Sequence, residues 1–201
     1  MLNITVLVSG GGTNLQALID AEKTGILKNG KINLVVSSKS DVFALKRAEK
    51  AEIKTFVVDK KNFNNSTLFC NELLKILKEN NTDLIVLAGF MTILTTEFIK
   101  QYSNRIINVH PSLIPSFCGE GFYGLKVHQA ALDYGVKVTG ATVHFVNEIV
   151  DGGKIIAQKA LEISQDDTAQ SLQKKVMENC EWIILPLATE KVCKEINNQT
   201  L

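Results

Sequence analysis

Asn3-Ile4-Thr5-Val6-Leu7-Val8-Ser9-Gly10-Gly11-Gly12-Thr13-Asn14-Leu15-Gln16-Ala17-Leu18-Ile19-Asp20 decides the fold. The apolar run over 3–8 reads as a buried strand, and Ser9 to Gly12 as its glycine turn. A helix follows from about Asn14, with Leu15, Leu18, Ile19 and Glu22 in a near-helical rhythm, and Gly25 ends it. Strand, tight loop and helix in immediate succession are the opening unit of an open α/β sheet.

Working outward, the same traffic repeats. Residues 31–37 and 54–58 read as strands around a helix over 42–51. Residues 66–79 are amphipathic, with Leu68, Phe69, Leu73, Ile76 and Leu77 at helical spacing. Residues 83–88 are continuously apolar, as a strand buried on both faces must be. A short helix over 95–101 leads to a strand carrying Asn108 and His110. Repeated strand–helix–strand units imply a parallel sheet with right-handed crossovers. The last third changes style. After a helix over 125–134, residues 138–146 and 154–163 read as antiparallel strands at the sheet edge, joined through Val150-Asp151-Gly152-Gly153. Asp167 or Thr168 caps a final helix with Leu172, Val176, Trp182 and Ile183 on its core face, and Pro186 is expected to kink or break it.

Composition bounds the function. With 201 residues, 45% hydrophobic and 21% charged, the chain reads as one domain with a full core. A net charge of +1 gives no electrostatic case for nucleic acid or an anionic membrane. No apolar run approaches the about 20 residues that span a bilayer. The first residues enter a strand without a charged leader, so a cytoplasmic protein is expected. Cys70, Cys118, Cys180 and Cys193 are scattered with no C-x-x-C pair, so reduced thiols and no metal are expected, with Cys70 and Cys180 as helix packing residues.

Five places in the chain could carry chemistry. The loop Gly10-Gly11-Gly12-Thr13-Asn14 lets backbone N–H groups at a helix start face an anion, a monophosphate being the natural guess. It lacks the G-K-[ST] ending of a Walker loop, and Leu15 breaks the G-x-G-x-x-G spacing. The alternative is a plain tight turn. Ala88-Gly89-Phe90-Met91-Thr92-Ile93-Leu94 lines either a pocket for a flat heteroaromatic ligand or ordinary core. In Ile107-Asn108-Val109-His110-Pro111-Ser112-Leu113-Ile114-Pro115, Asn108 and His110 point the same way on an extended backbone and could address one carbonyl oxygen. The plain reading is a satisfied core histidine beside a turn asparagine. Asp151 is either a turn aspartate or a carboxylate that reaches the carboxyl ends of the parallel strands. Phe117 to Gly124 is glycine-rich and aromatic, either a mobile loop over the site or a long connection. His128, early in a helix, and His144, within a strand, are less persuasive as catalysts, His144 reading as structural.

Val8 to Gln16, Leu87 to Met91 with Ile93-Leu94, Ile107 to Pro115, Gly140 to Val146 and Asp151-Gly152-Gly153 together resemble the phosphoribosylglycinamide formyltransferase family over nearly the whole chain. The resemblance implies a Rossmann-like formyltransferase fold, α/β, with a mostly parallel twisted sheet flanked by helices and antiparallel edge strands. It implies formyl transfer from 10-formyltetrahydrofolate, a cosubstrate, to the glycyl amine of glycinamide ribonucleotide in de novo purine biosynthesis, with no metal. Carried over by position, Asn108, His110 and Asp151 are the catalytic trio. Gly11, Gly12, Thr13 and Asn14 hold the substrate phosphate, and Glu181 the ribose hydroxyls. Met91, Thr92, Ile93 and Leu94, with Val146, Asn147 and Val150, line the pterin pocket. Within a single domain, 1–100 is then the phosphate-binding half and 101–201 the catalytic and folate-binding half. The implied mechanism is direct amine attack, the oxyanion being held by Asn108 and a protonated His110 assisted by Asp151. A bulky residue at Gly12 is expected mainly to weaken nucleotide affinity. Partners are small molecules, and the protein a monomer or homodimer. Two departures stand out: a longer loop between Pro115 and Leu125, and Thr92 and Ser66 where the family often has arginine near the folate tail, so that either Lys60, Lys61 or another cation substitutes or the tail is bound more weakly. A formyltetrahydrofolate hydrolase, a methionyl-tRNA formyltransferase and a non-catalytic binding module are the competing readings. The intact glycine loop, the near-neutral charge and the complete trio respectively speak against them.

Overall fold

In the computed structural model, which describes residues 1–199, the opening run becomes β1 (Leu2–Val8) and α1 (Thr13–Lys23). The chain continues through β2 (Gly30–Ser37), α2 (Phe43–Lys50), β3 (Lys54–Val57), α3 (Ser66–Glu79), β4 (Leu84–Leu87), α4 (Thr96–Gln101) and β5 (Ile106–His110). It ends with α5 (Leu125–Tyr134), β6 (Val138–Phe145), β7 (Ile155–Glu162), α6 (Ala169–Val176) and α7 (Trp182–Gln199). One seven-stranded sheet runs in the order β3-β2-β1-β4-β5-β6-β7. β1 to β5 are parallel, and β6 and β7 are antiparallel additions. The chain builds outward from β1 to β3, then returns to place β4 on the other side of β1. That reversal opens a crevice at the carboxyl ends of β1 and β4, where α/β sheets bind ligands.

β1 and β4 are apolar without alternation because helices cover both faces. Ile4, Val6, Val8, Leu84 and Val86 pack with residues of α1, α2, α6 and α7. Leu7, Ile85 and Leu87 face the opposite way, into residues of α3 and α4. Each such fully buried aliphatic side chain contributes about 1.5–3 kcal/mol, so the central strands hold the two layers in register. Among the described residues no helix is long and apolar enough to cross a membrane.

The C-terminal helix differs from expectation at Pro186. It neither stops nor breaks there: α7 runs through it. The irregularity sits one turn earlier, where Met177–Glu181 form a π-helical turn between α6 and α7. Proline lacks an N–H and crowds the carbonyl four residues back, here that of Trp182, the residue that directly follows the widened turn. Buried Ile184, Leu185, Ala188 and Val192 then hold the helix on the core. Thr168, rather than Asp167, is the cap of α6, accepting from the Ser171 N–H in a capping box.

Candidate functional site

The first structural layer of the site is the α1 N-terminus. Gly12 is its cap residue and offers no side chain, so the N–H groups of the first turn have no side-chain acceptor. Of the three loop glycines only Gly12 has positive φ, +72°, and a Cβ there would lie 2.6 Å from the Ala44 Cβ and 2.7 Å from its Cα. Gly10 and Gly11 border open space instead. A bulky residue at Gly12 therefore strikes α2 as well as the loop, so its effect is not confined to nucleotide affinity. Ser9 closes the floor. Its hydroxyl pairs with that of Ser38 at 2.6 Å and accepts the Met91 N–H at 3.0 Å, tying the ends of β1 and β2 to the segment after β4.

Across the loop, Asn14 Nδ2 donates to Glu181 Oε2 at 2.6 Å. Glu181 lies in the π-helical turn and is buried, and burial pushes its carboxyl above the usual value despite the Asn14 hydrogen bond. Asn14 Oδ1 is buried with no partner. Asn14 thus turns its side chain to Glu181 and leaves only its backbone N–H at the helix start.

The second layer is at β5. Asn108 and His110 project to one side, as two-residue spacing on a strand requires. Register then supplies a residue that sequence reasoning set aside: Asn108 is paired with His144 of β6. The Asn108 amide nitrogen lies 3.2 Å from His144 Nε2, and His144 Nδ1 is 2.8 Å from the Phe145 carbonyl. The roles follow the tautomer: with its proton on Nδ1 alone, donated to that carbonyl, His144 accepts one Asn108 N–H at Nε2 and leaves the other available, whereas a proton on Nε2 is directed at Asp151 Oδ1. The β6–β7 connection leaves the sheet level with Ile106 and folds back over its face, which brings Asp151 to both imidazoles. Asp151 Oδ2 is 3.5 Å from His110 Nδ1, and Oδ1 is 3.6 Å from His144 Nε2.

The loop after Pro115 completes this cluster with backbone groups, which residue types alone do not announce. His110 Nε2 is 2.9 Å from the Phe117 carbonyl, and the Gly119 N–H donates to Asp151 Oδ2 at 2.9 Å. Both ring nitrogens of His110 face oxygen acceptors, the pattern that suits a doubly protonated ring. Burial pushes the Asp151 carboxyl up. The His144 hydrogen bond, the His110 charge and the Gly119 N–H outweigh it, and the group sits below the ordinary carboxylate value. Phe117 and Asp151 both have positive φ, +50° and +55°, a conformation costly for a bulky side chain and held only by its surroundings. His128 is different: it is buried, neither ring nitrogen has a partner, and burial followed by the His110 charge pushes it down to about 4. It remains neutral near pH 7.

The third layer is a cavity of about 150 Å³. Met91, Thr92, Ile93, Leu94, Val146, Asn147 and Val150 all line it, together with Asn108, His144 and Asp151. The polar cluster therefore opens on an apolar recess, while Gly11, Gly12, Thr13, Asn14 and Glu181 form a separate polar corner at the α1 end. Both groups draw on residues before and after position 100.

Fold and site together define an α/β enzyme whose amide, imidazole and carboxylate groups sit at a sheet crevice. A family model described as formyl transferase matches residues 2–189, and the chain belongs to that family. It is 41% identical over 187 residues to the phosphoribosylglycinamide formyltransferase of Haemophilus influenzae, covering 93% of this chain and 85% of that protein. It is 44% identical over 191 residues to the trifunctional purine biosynthetic protein adenosine-3 of Gallus gallus, of which it spans 18%. The crystal structure of glycinamide ribonucleotide transformylase 1 from Symbiobacterium toebii matches with a TM-score of 0.91 and 36% identity, over 97% of this chain and 89% of that one.

Proposed function

We propose that this chain transfers the formyl group of 10-formyltetrahydrofolate to the glycyl amine of glycinamide ribonucleotide, a step of purine biosynthesis. The observation that carries the reading is the convergence of Asn108, His110 and Asp151, from β5 and the β6–β7 connection, beside an apolar recess. The separate polar corner of glycine loop and Glu181 suits the phosphoribosyl end of the acceptor.

The amine nitrogen attacks the formyl carbon. A new C–N bond forms, the carbonyl pair moves onto oxygen, and collapse expels the folate nitrogen, which receives the proton the amine loses. Charge on the formyl oxygen is met by the free Asn108 N–H and by His110 Nε2–H, once that group leaves the Phe117 carbonyl. Asp151 stays ionised above its lowered range, so it holds the imidazoles in place and can accept the amine proton through a water. The pterin ring occupies the recess formed by Met91, Thr92, Ile93, Leu94, Val146, Asn147 and Val150. The protein acts on small molecules.

The test is an absorbance assay of a formyl-folate analogue with and without glycinamide ribonucleotide. Loss of formyl only in the presence of nucleotide is expected. Release without it makes the chain a hydrolase, and no release makes it a binder; either result overturns the reading.

A further inference from the structure

Helix α2 grips the glycine loop by two consecutive carbonyls. The Ala44 N–H donates to the Gly10 carbonyl at 3.1 Å, and Arg47 Nε donates to the Gly11 carbonyl at 2.9 Å. In a trans peptide the N–H points opposite to the C=O. With carbonyls 10 and 11 turned to α2, the N–H groups of Gly11 and Gly12 are turned away from it. They continue into the first-turn N–H groups of α1, which have no side-chain acceptor. Successive N–H groups aimed one way make an anion-binding nest.

Arg47 is held from three sides. Its guanidinium lies 4.9 Å over the Phe43 ring, donates to Gly11 and donates from Nη1 to Gln16 Oε1 at 3.1 Å. Two of its five N–H groups are used and three remain. It shares with Thr13 the wall of a cavity of about 510 Å³ between α1 and α7. A guanidinium is a permanent cation, and this one stands behind the loop, on the carbonyl side of the peptides whose N–H groups would face a phosphate dianion. A guanidinium restrained in this way also loses little entropy on meeting an anion.

We infer that Arg47 is the positioning residue for the phosphate end of the nucleotide substrate. It fixes the Gly11–Gly12 peptide so that its N–H faces the phosphate, and it offsets part of the dianion's charge. The inference rests on the phosphoribosyl substrate proposed above. A brace that merely supports the loop would affect every ligand of the site alike, whereas this role is felt only when the phosphate is present.

The experiment compares wild-type, Arg47→Gln and Arg47→Lys proteins with glycinamide ribonucleotide and with its dephosphorylated riboside. Arg47→Gln is expected to raise KM for the ribonucleotide by about tenfold or more, as loss of its charge-assisted hydrogen bond to the Gly11 carbonyl frees the peptide, with the change falling on KM rather than kcat. The riboside KM should not move, and Arg47→Lys should recover part of the loss. Equal losses on both substrates, or no loss on either, overturn the inference while leaving the proposed reaction intact. A wild-type protein that treats ribonucleotide and riboside alike overturns the phosphate assignment and the inference with it. Thermal melts verify folding. If Arg47→Gln does not fold, Gln16→Ala, which frees one anchor of the guanidinium, carries the same comparison with a smaller expected rise.

Discussion

The Asn108 amide owes its orientation to its partner across the strand pair. While His144 Nε2 is unprotonated it accepts one Asn108 N–H, and the His144 ring is itself fixed by the Phe145 carbonyl, so the second N–H points in one direction only. Asn108→Ala should lower turnover by about 10² or more, equivalent to about 3 kcal/mol of oxyanion stabilisation, with melting little changed. His144→Ala should cost about tenfold, and the double variant about as much as Asn108→Ala alone, because the imidazole acts through the amide; full additivity in steady-state kinetics would separate the two residues. Asp151 has a pH signature. Its folded-state carboxyl is more acidic than in the unfolded chain, so its contribution to stability is present above the ordinary Asp value of about 4 and is lost as pH falls through the lower folded value. In denaturant titrations across acid pH, Asp151→Asn should therefore differ from wild type above that window and converge on it below. His144 was visible in the sequence only as a histidine inside a strand. What brings it beside Asn108 is the register, which depends on how β6 turns back and which no local pattern encodes.

At the scale of elements, the strand–loop–helix units were legible because both layers of helices impose unbroken apolar runs on β1 and β4. The glycine loop was legible as the turn that opens α1, yet its three glycines are not equivalent. Gly12 is required by its positive φ and by Ala44 of α2 beneath it, whereas Gly11 faces open space. Gly12→Ala should destabilise the fold by about 1–3 kcal/mol, since either α1 or α2 must shift. Gly11→Ala should melt almost as wild type while weakening binding of the phosphorylated substrate. Parallel thermal melts and nucleotide titrations check the pair, and equal destabilisation would remove the distinction. The continuity of α7 through Pro186 was not legible either. Local rules allow a break at the proline, but Leu185 and Ala188 are buried on either side of it and the helix continues, while the widened turn appears at Met177–Glu181, where Glu181 meets Asn14.

Across the whole molecule, Glu181 and Asn14 join the last helices to the first, 167 positions apart, in a buried polar contact that the fold tolerates for its site. Motif position was enough to nominate Glu181, but its environment was not legible, because burial arises only when α7 closes over α1. That environment sets stability against function. Burial raises the Glu181 carboxyl above its unfolded value, so its favourable contribution is fully present at pH below the ordinary Glu range and is lost as pH rises through the folded value. Near pH 7 the charged form is a liability that a neutral amide of the same shape does not carry, and Gln can still accept the Asn14 N–H. Glu181→Gln should therefore melt a few degrees higher than wild type at neutral pH, with the difference shrinking toward pH 4. The same variant should bind glycinamide ribonucleotide more weakly, because an amide is a poorer acceptor for ribose hydroxyls than a carboxylate. Melting curves over pH, paired with nucleotide titrations, read both effects. Lower stability at neutral pH would mean that the contact with Asn14 outweighs desolvation, and unchanged nucleotide affinity would remove Glu181 from the ribose.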